Sequence, residues 1–162
     1  LHESLVPRAR FLAHREFHVR NLMVQGGHLV TLDFQDARCG AATYDLSSIL
    51  FDAYWDWSKE AGQHLLGRVR GELGWSDSDL WEELSLSAMQ RNFKSLGAFG
   101  HQLLNCRKSH FAPAVPRTLR HLRGHFQRLR HGEGVLATEH WMRLAEKRLW
   151  KHSGDDEAEA LG

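Results

Sequence analysis

The hydrophobic pattern of this chain changes period at Tyr44-Asp45, and that change limits the fold more than any other feature. Upstream, apolar residues fall in pieces too short for a helix: Phe11 to Ala13, Leu22 to Val24 and His28 to Leu32. Gly26-Gly27 lies between the last two, and paired glycines supply the positive φ angles of a two-residue turn, so these pieces are predicted to form a β-hairpin. Downstream, Leu46, Ile49, Leu50 and Ala53 recur at helical spacing behind Asp45, which is placed to act as an N-cap. Further helices are predicted over 60–73, closed by Gly74, and from Ser76-Asp77 through Trp81, Leu84, Met89, Phe93 and Leu96 to Leu103. Pro113 and Pro116 mark the next boundary, and Thr118 to Arg130 read as a basic amphipathic helix. A last helix is predicted over 136–150, ahead of the acidic run Ser153 to Glu157, which is expected to be disordered. The expected fold class is therefore mainly α with a small β part, α+β.

Among 162 residues, 42% are hydrophobic and six are Trp, which is enough to build one core. The Trp residues fall mostly on helical stripes and are expected in the core or at an interface. Lys and Arg number 21 against 20 Asp and Glu, so the overall charge gives no case for a nucleic-acid or membrane partner. The basic helix lacks an aromatic stacking platform and reads as a solvated face. Cys39 and Cys106 are too few for a disulfide framework; both are expected as small buried residues in a reducing compartment, the cytoplasm. No run approaches the 18 apolar residues of a membrane span, and Leu1-His2-Glu3-Ser4 lacks the layout of a signal peptide. An opening Leu in place of Met raises the expectation of a fragment or a trimmed gene product.

The segment richest in chemistry is His14-Arg15-Glu16-Phe17-His18-Val19-Arg20-Asn21, followed by the hairpin and then Leu32-Asp33-Phe34-Gln35-Asp36. Phosphoryl transfer needs a carboxylate near the acceptor hydroxyl, plus an oxygen ligand and a second carboxylate to hold magnesium against the phosphates. Glu16 stands in order as the base, Asn21 as the first metal ligand and Asp33 as the second. A short hairpin between Asn21 and Asp33 would bring both ligands to one edge. His14 and His18 have the spacing of a zinc pair but no third ligand at a convincing distance in sequence, so they read as supports of the loop. Arg15 is expected to pair with a nearby carboxylate. Asp36 either accepts substrate hydroxyls or braces the loop.

The pattern His-x-acid-x-x-x-x-Asn, a hairpin, Asp33-Phe34-Gln35-Asp36-Ala37 and Tyr44-Asp45-Leu46 resembles the aminoglycoside phosphotransferases and choline kinases. With Gly40 and Gln90-Arg91-Asn92-Phe93-Lys94 added, the chain is most similar to the bacterial branch that phosphorylates N-acetylmuramate or N-acetylglucosamine at the anomeric position in cell-wall recycling. The resemblance covers residues 11 to about 130. It implies a protein-kinase-like C-lobe over 1–150 with the hairpin at its catalytic edge, followed by a tail over 151–162. It places His14, Arg15 and Glu16 in the catalytic segment, Asn21 and Asp33 on Mg2+, and Gln35 and Asp36 on a small-molecule substrate, with ATP as the phosphate donor. The family's nucleotide clamp is a separate N-terminal lobe, expected here to be missing or separately encoded. Gly132-Glu133-Gly134 follows a basic helix rather than a strand, so it does not read as a nucleotide loop. The family carries Asp where this chain has Glu16, and the added methylene moves the carboxylate by about 1 Å, enough to cost about 100-fold in rate. Two functions follow: part of an ATP-dependent kinase of an amino sugar, inactive as an isolated chain, or an inactive remnant that serves as a binding module. A lobe standing alone is further expected to expose apolar surface over Ser48 to Trp57.

Overall fold

A computed structural model of the chain describes residues 9–129; the helix expected over 136–150, the acidic tail and the Gly132-Glu133-Gly134 segment lie outside the described residues. Among the described residues the protein is mostly helical, with two small antiparallel sheets of two strands each. Strands β2 (Leu22–Gln25) and β3 (His28–Thr31) form the expected hairpin, pairing Met23 with Val30 and Val24 with Leu29. Gly26 and Gly27 both have positive φ, 57° and 80°, the signature of the tight turn whose twist matches that of the strands. The ladder gains one rung beyond the strands, because the Leu32 N–H donates to the Asn21 carbonyl at 2.9 Å. Residue 33 is thereby delivered beside residue 21.

The second sheet pairs β1 (Ala9–Ala13) with β4 (Arg38–Ala41). Sequence reasoning missed β4, since Arg-Cys-Gly-Ala carries no apolar alternation. What holds it is a close approach: a Cβ at Gly40 would meet the Ala13 Cβ at 3.3 Å, and Ala13 and Ala41 share a small core with Tyr44. Cys39 lies on this strand and is exposed, as is Cys106, contrary to the expectation that both are buried.

Four α-helices follow: α1 (Tyr44–Leu50), α2 (Lys59–Leu73), α3 (Asp77–Leu104) and α4 (Ala114–Arg128). Their ends obey local chemistry. Ser58 caps α2 by accepting from the Ala61 N–H at 3.1 Å, and Gly74 closes it. Ser76 accepts from the Asp79 N–H at 3.2 Å and opens α3 as the sequence suggests. Helix α4 starts at Ala114 rather than Thr118, because Pro116 falls in its first turn, where a residue without an N–H loses no helical bond.

The chain divides into two compact units, Leu1–Arg91 and Asn92–Gly162. The first is built on Leu46, Ile49, Leu50, Leu80 and Leu84, with Phe17, Val19, Leu22 and Trp81 packed against them. Burying such a side chain contributes about 1.5–3 kcal/mol each, so the loop that carries Phe17 and Val19 is anchored by the main core. In the second unit, Phe99 stacks on Phe111 and Phe93 meets Phe126 edge to face, at centroid distances of 5.8 and 6.1 Å. Among the described residues no helix is long and apolar enough to cross a membrane.

The apolar surface lies only in part where it was expected. Within Ser48 to Trp57, Ile49 and Leu50 are buried, and of the large apolar side chains only Trp55 and Trp57 are exposed; the Trp57 indole N–H donates to the Ile49 carbonyl at 2.7 Å. These two Trp residues are thus surface residues, not members of a helical core stripe. The most exposed large apolar side chains are Leu12 at 78% and Val24 at 76%, both on strands.

Candidate active site

The segment from His14 to Asn21 runs between β1 and β2 and is held from beneath by two carboxylates. Asp45, in the first turn of α1, accepts the backbone N–H groups of His14 and Arg15 at 2.6 and 2.9 Å. Asp52, fully buried just past the end of α1, accepts the Val19 N–H at 2.8 Å with one oxygen and the Tyr54 N–H at 2.7 Å with the other. One acid lies in the first turn of α1 and the other two residues beyond its last, and both turn their carboxylates to the loop. The expectation that Asp45 is an N-cap is therefore corrected. Thr43 occupies the cap position, and its hydroxyl meets the Ser87 hydroxyl at 2.9 Å and Glu83 at 3.4 Å, while Asp45 spends its charge on the loop.

Arg15 adopts the left-handed backbone region, with φ 74°, which a non-glycine residue occupies only where its surroundings compel it. Asp45 supplies that compulsion. Arg15 was expected to pair with a carboxylate through its side chain; among the described residues the carboxylate contact is made by its backbone N–H instead. His14 is half-buried with its ring edge-on to Phe17 at 5.9 Å, a packing role in the loop.

Glu16 sits at the crest of this loop. Its carbonyl accepts the His18 N–H at 3.0 Å and the Asn21 side-chain amide at 3.0 Å. The Asn21 amide nitrogen also lies 3.4 Å from the Asp33 carboxylate and 3.5 Å from the His18 ring nitrogen. Asp33, like Arg15, is a non-glycine residue with positive φ, 65°, which turns its side chain back toward Asn21 as the chain leaves β3. The Gln35 side-chain amide donates to the other Asp33 oxygen. Asp36, exposed in the same loop, completes the set. The structure thus brings Glu16, Asn21, Asp33 and Gln35 together, and places His14 and Arg15 below them on Asp45.

The donor chemistry suits a hard divalent cation. Asn21 spends its amide nitrogen on the Glu16 carbonyl, so the amide oxygen is the atom that could ligate a cation, and Asp33 adds an exposed carboxylate nearby. Among the described residues no group of three or more His, Cys, Asp and Glu is arranged to hold a metal, so an ion here would rely on one amide, one carboxylate, water and substrate oxygens. His18 lies 3.6 Å from the Glu16 carboxylate, and burial, reinforced by the positive charge of Arg91, pushes its pKa below the ordinary histidine value. It is a neutral neighbour of Glu16 at pH 7. Above the same loop the Arg20 guanidinium carbon lies 3.7 Å from the centre of the Tyr54 ring. Burial raises the Tyr54 pKa, and Arg20 opposes that rise.

Sequence reasoning overlooked Asp52, Tyr54, Arg20 and Arg91. A signal for the first was present: an acid set between Phe51 and Ala53, directly behind the apolar pair Ile49-Leu50, is a candidate for burial and then has to be bonded.

Comparison with known proteins accords with this geometry. Residues 1–86 match the model of the family described as phosphotransferase enzymes. An N-acetylmuramate/N-acetylglucosamine kinase of Neisseria meningitidis serogroup B is 32% identical over 126 residues, covering 74% of this chain and 38% of the relative. A protein of the same name from Pseudomonas aeruginosa is 30% identical over 126 residues, covering 74% of this chain and 37% of the relative. The chain therefore spans less than two-fifths of the length of these curated relatives. With the family's motif folded into one loop and hairpin, this chain belongs to the phosphotransferase enzyme family.

Proposed function

We propose that the chain is the acceptor-binding and metal-binding part of a kinase-like C-lobe, and that it serves ATP-dependent phosphorylation of a hydroxyl on an amino sugar in the cytoplasm. The observation that carries this reading is the Asn21 amide, bonded to the Glu16 carbonyl at 3.0 Å and 3.4 Å from the Asp33 carboxylate. One loop and one hairpin thereby bring the backbone of the candidate base against two candidate metal ligands. Glu16 takes or orients the proton of the acceptor hydroxyl, with its carboxylate steadied by neutral His18. Asn21 and Asp33 would hold Mg2+, which neutralises the charge on the donor phosphates when bound. Gln35 donates to the Asp33 carboxylate, and Asp36, exposed in the same loop, would accept substrate hydroxyls.

The curated relatives are named for N-acetylmuramate and N-acetylglucosamine, which makes these the acceptors of choice. A second reading, a binding module without turnover, is favoured by one observation: Glu16 is a methylene longer than the family's Asp. Phosphorus NMR decides between them. The chain is incubated with Mg2+, ATP and either sugar, alone and with the N-terminal portion of the Neisseria relative. Sugar phosphate that forms in the complemented mixture and disappears in Glu16→Gln supports the kinase. No product in the complemented mixture, together with product on restoring Glu16→Asp, supports the binding module; product that survives both Glu16→Gln and Asp33→Asn contradicts the site itself.

A further inference from the structure

Arg20 and Tyr54 form a feature that phosphoryl transfer alone does not require. Arg20 lies in the turn Val19–Asn21, immediately before the candidate metal ligand and four residues after the candidate base. Its side chain is exposed, yet it is not left to wander: the guanidinium carbon is held 3.7 Å from the Tyr54 ring centre, and it bonds the Tyr54 side chain. Both partners are fixed by the same buried group. Asp52 takes the Val19 N–H with one oxygen and the Tyr54 N–H with the other, so the residue before Arg20 and the residue that carries its platform share one carboxylate. A long cationic side chain ordinarily loses rotamer entropy on gripping a ligand, and here that loss is taken at folding.

We propose that Arg20, stacked on Tyr54, is the specificity determinant for an acceptor that carries a carboxylate. This inference rests on the amino-sugar reading above and deepens it. N-acetylmuramate bears a lactyl carboxylate that N-acetylglucosamine lacks, and a planar guanidinium accepts a carboxylate in paired hydrogen bonds that a neutral hydroxyl does not reproduce.

The test is a titration of the 162-residue chain with each sugar, followed by heteronuclear NMR, on the unaltered protein and on Arg20→Gln, Arg20→Lys and Tyr54→Phe. N-acetylmuramate is expected to bind about tenfold tighter than N-acetylglucosamine, with the advantage shrinking as salt is raised. Arg20→Gln removes that advantage while the affinity for N-acetylglucosamine stays within about twofold, and Arg20→Lys and Tyr54→Phe each retain part of it. Equal affinities in the unaltered chain would overturn the proposal. So would an Arg20→Gln that weakens both sugars alike, or one whose loss appears in the affinity for Mg2+ and ATP instead. Binding of neither sugar would overturn the amino-sugar reading and this inference with it, whereas binding of both without preference overturns the inference alone.

Discussion

The two arms of the candidate site are built on different foundations. The arm from His14 to Val19 is nailed to the main core: Phe17 and Val19 pack on it, and Asp45 and Asp52 take three of the arm's backbone N–H groups. The arm from Asp33 to Asp36 is exposed throughout, and its bonds run to its own neighbours: Gln35 to Asp33, the Asn21 amide to Asp33 and the Ala37 N–H to the Phe34 carbonyl. On the proposed reading, the loop that carries the candidate base is preorganised by folding, while the second candidate metal ligand would be left for a cation and phosphates to fix. That division suits a site whose acceptor chemistry tolerates little displacement and whose metal arrives with the nucleotide.

Removing the deepest support should break the contrast most severely. Asp52→Ala strands the Val19 and Tyr54 N–H groups beside a core with no replacement acceptor, and a loss of about 3 kcal/mol in urea unfolding is expected. Asp45→Ala, at a half-buried position, should cost about 2 kcal/mol and accelerate amide exchange at His14 and Arg15 before any other part of the loop. If exchange at these two amides is unchanged, the carboxylate does not hold the loop.

The second unit offers a pH probe that the first does not. His125 is buried on α4, and burial, with the charges of Arg128 and His121, pushes its pKa down to about 3. The folded state thus keeps His125 neutral down to about pH 3, whereas the unfolded chain takes up a proton below the ordinary histidine value of 6.5. The unfolded state binds more protons across that window, so this contribution is intact above pH 6.5 and is lost progressively as the pH falls toward 3. Between pH 7 and pH 5 the chain should lose about 1 to 2 kcal/mol through this group, and His125→Gln should flatten the slope by that amount even if it lowers stability at pH 7.

The smallest effect on stability is expected at the exposed arm. Asp33→Asn keeps a residue type that tolerates positive φ, so unfolding should shift by less than about 0.5 kcal/mol. A loss comparable to that of Asp45→Ala would erase the distinction between the two arms.

Part of this was legible in the sequence because it is local. Gly26-Gly27 specified a turn that needs two positive φ angles, and counting along the strands from it sets residue 21 opposite residue 32; the last step, from 32 to Asp33, depends on the positive φ of Asp33 itself. Gly74 and Ser76 likewise announced helix ends through their own backbone or side chain. The rest was hidden because the partner was distant. Asp45 reads as a cap when only its neighbours are considered, and its true partners lie 31 and 30 residues away. Strand β4 has no pattern of its own and exists because Gly40 admits Ala13. Trp55 and Trp57 carry a helical stripe's spacing, yet the chain has left α1 by then and no helix presents them to the core.

The account stands most directly on Asn21 and Asp33 sharing one divalent cation beside Glu16, and paramagnetic broadening by Mn2+ measures that. Titrated into the isotope-labelled chain, Mn2+ should broaden the resonances of Glu16, Asn21 and Asp33 ahead of all others, with an affinity of about a millimolar because only two protein ligands are offered. In Asp33→Asn the broadening should need at least about ten times more metal, while Asp36→Asn should leave its centre in place. Broadening centred elsewhere, or unchanged in Asp33→Asn, would contradict the shared site.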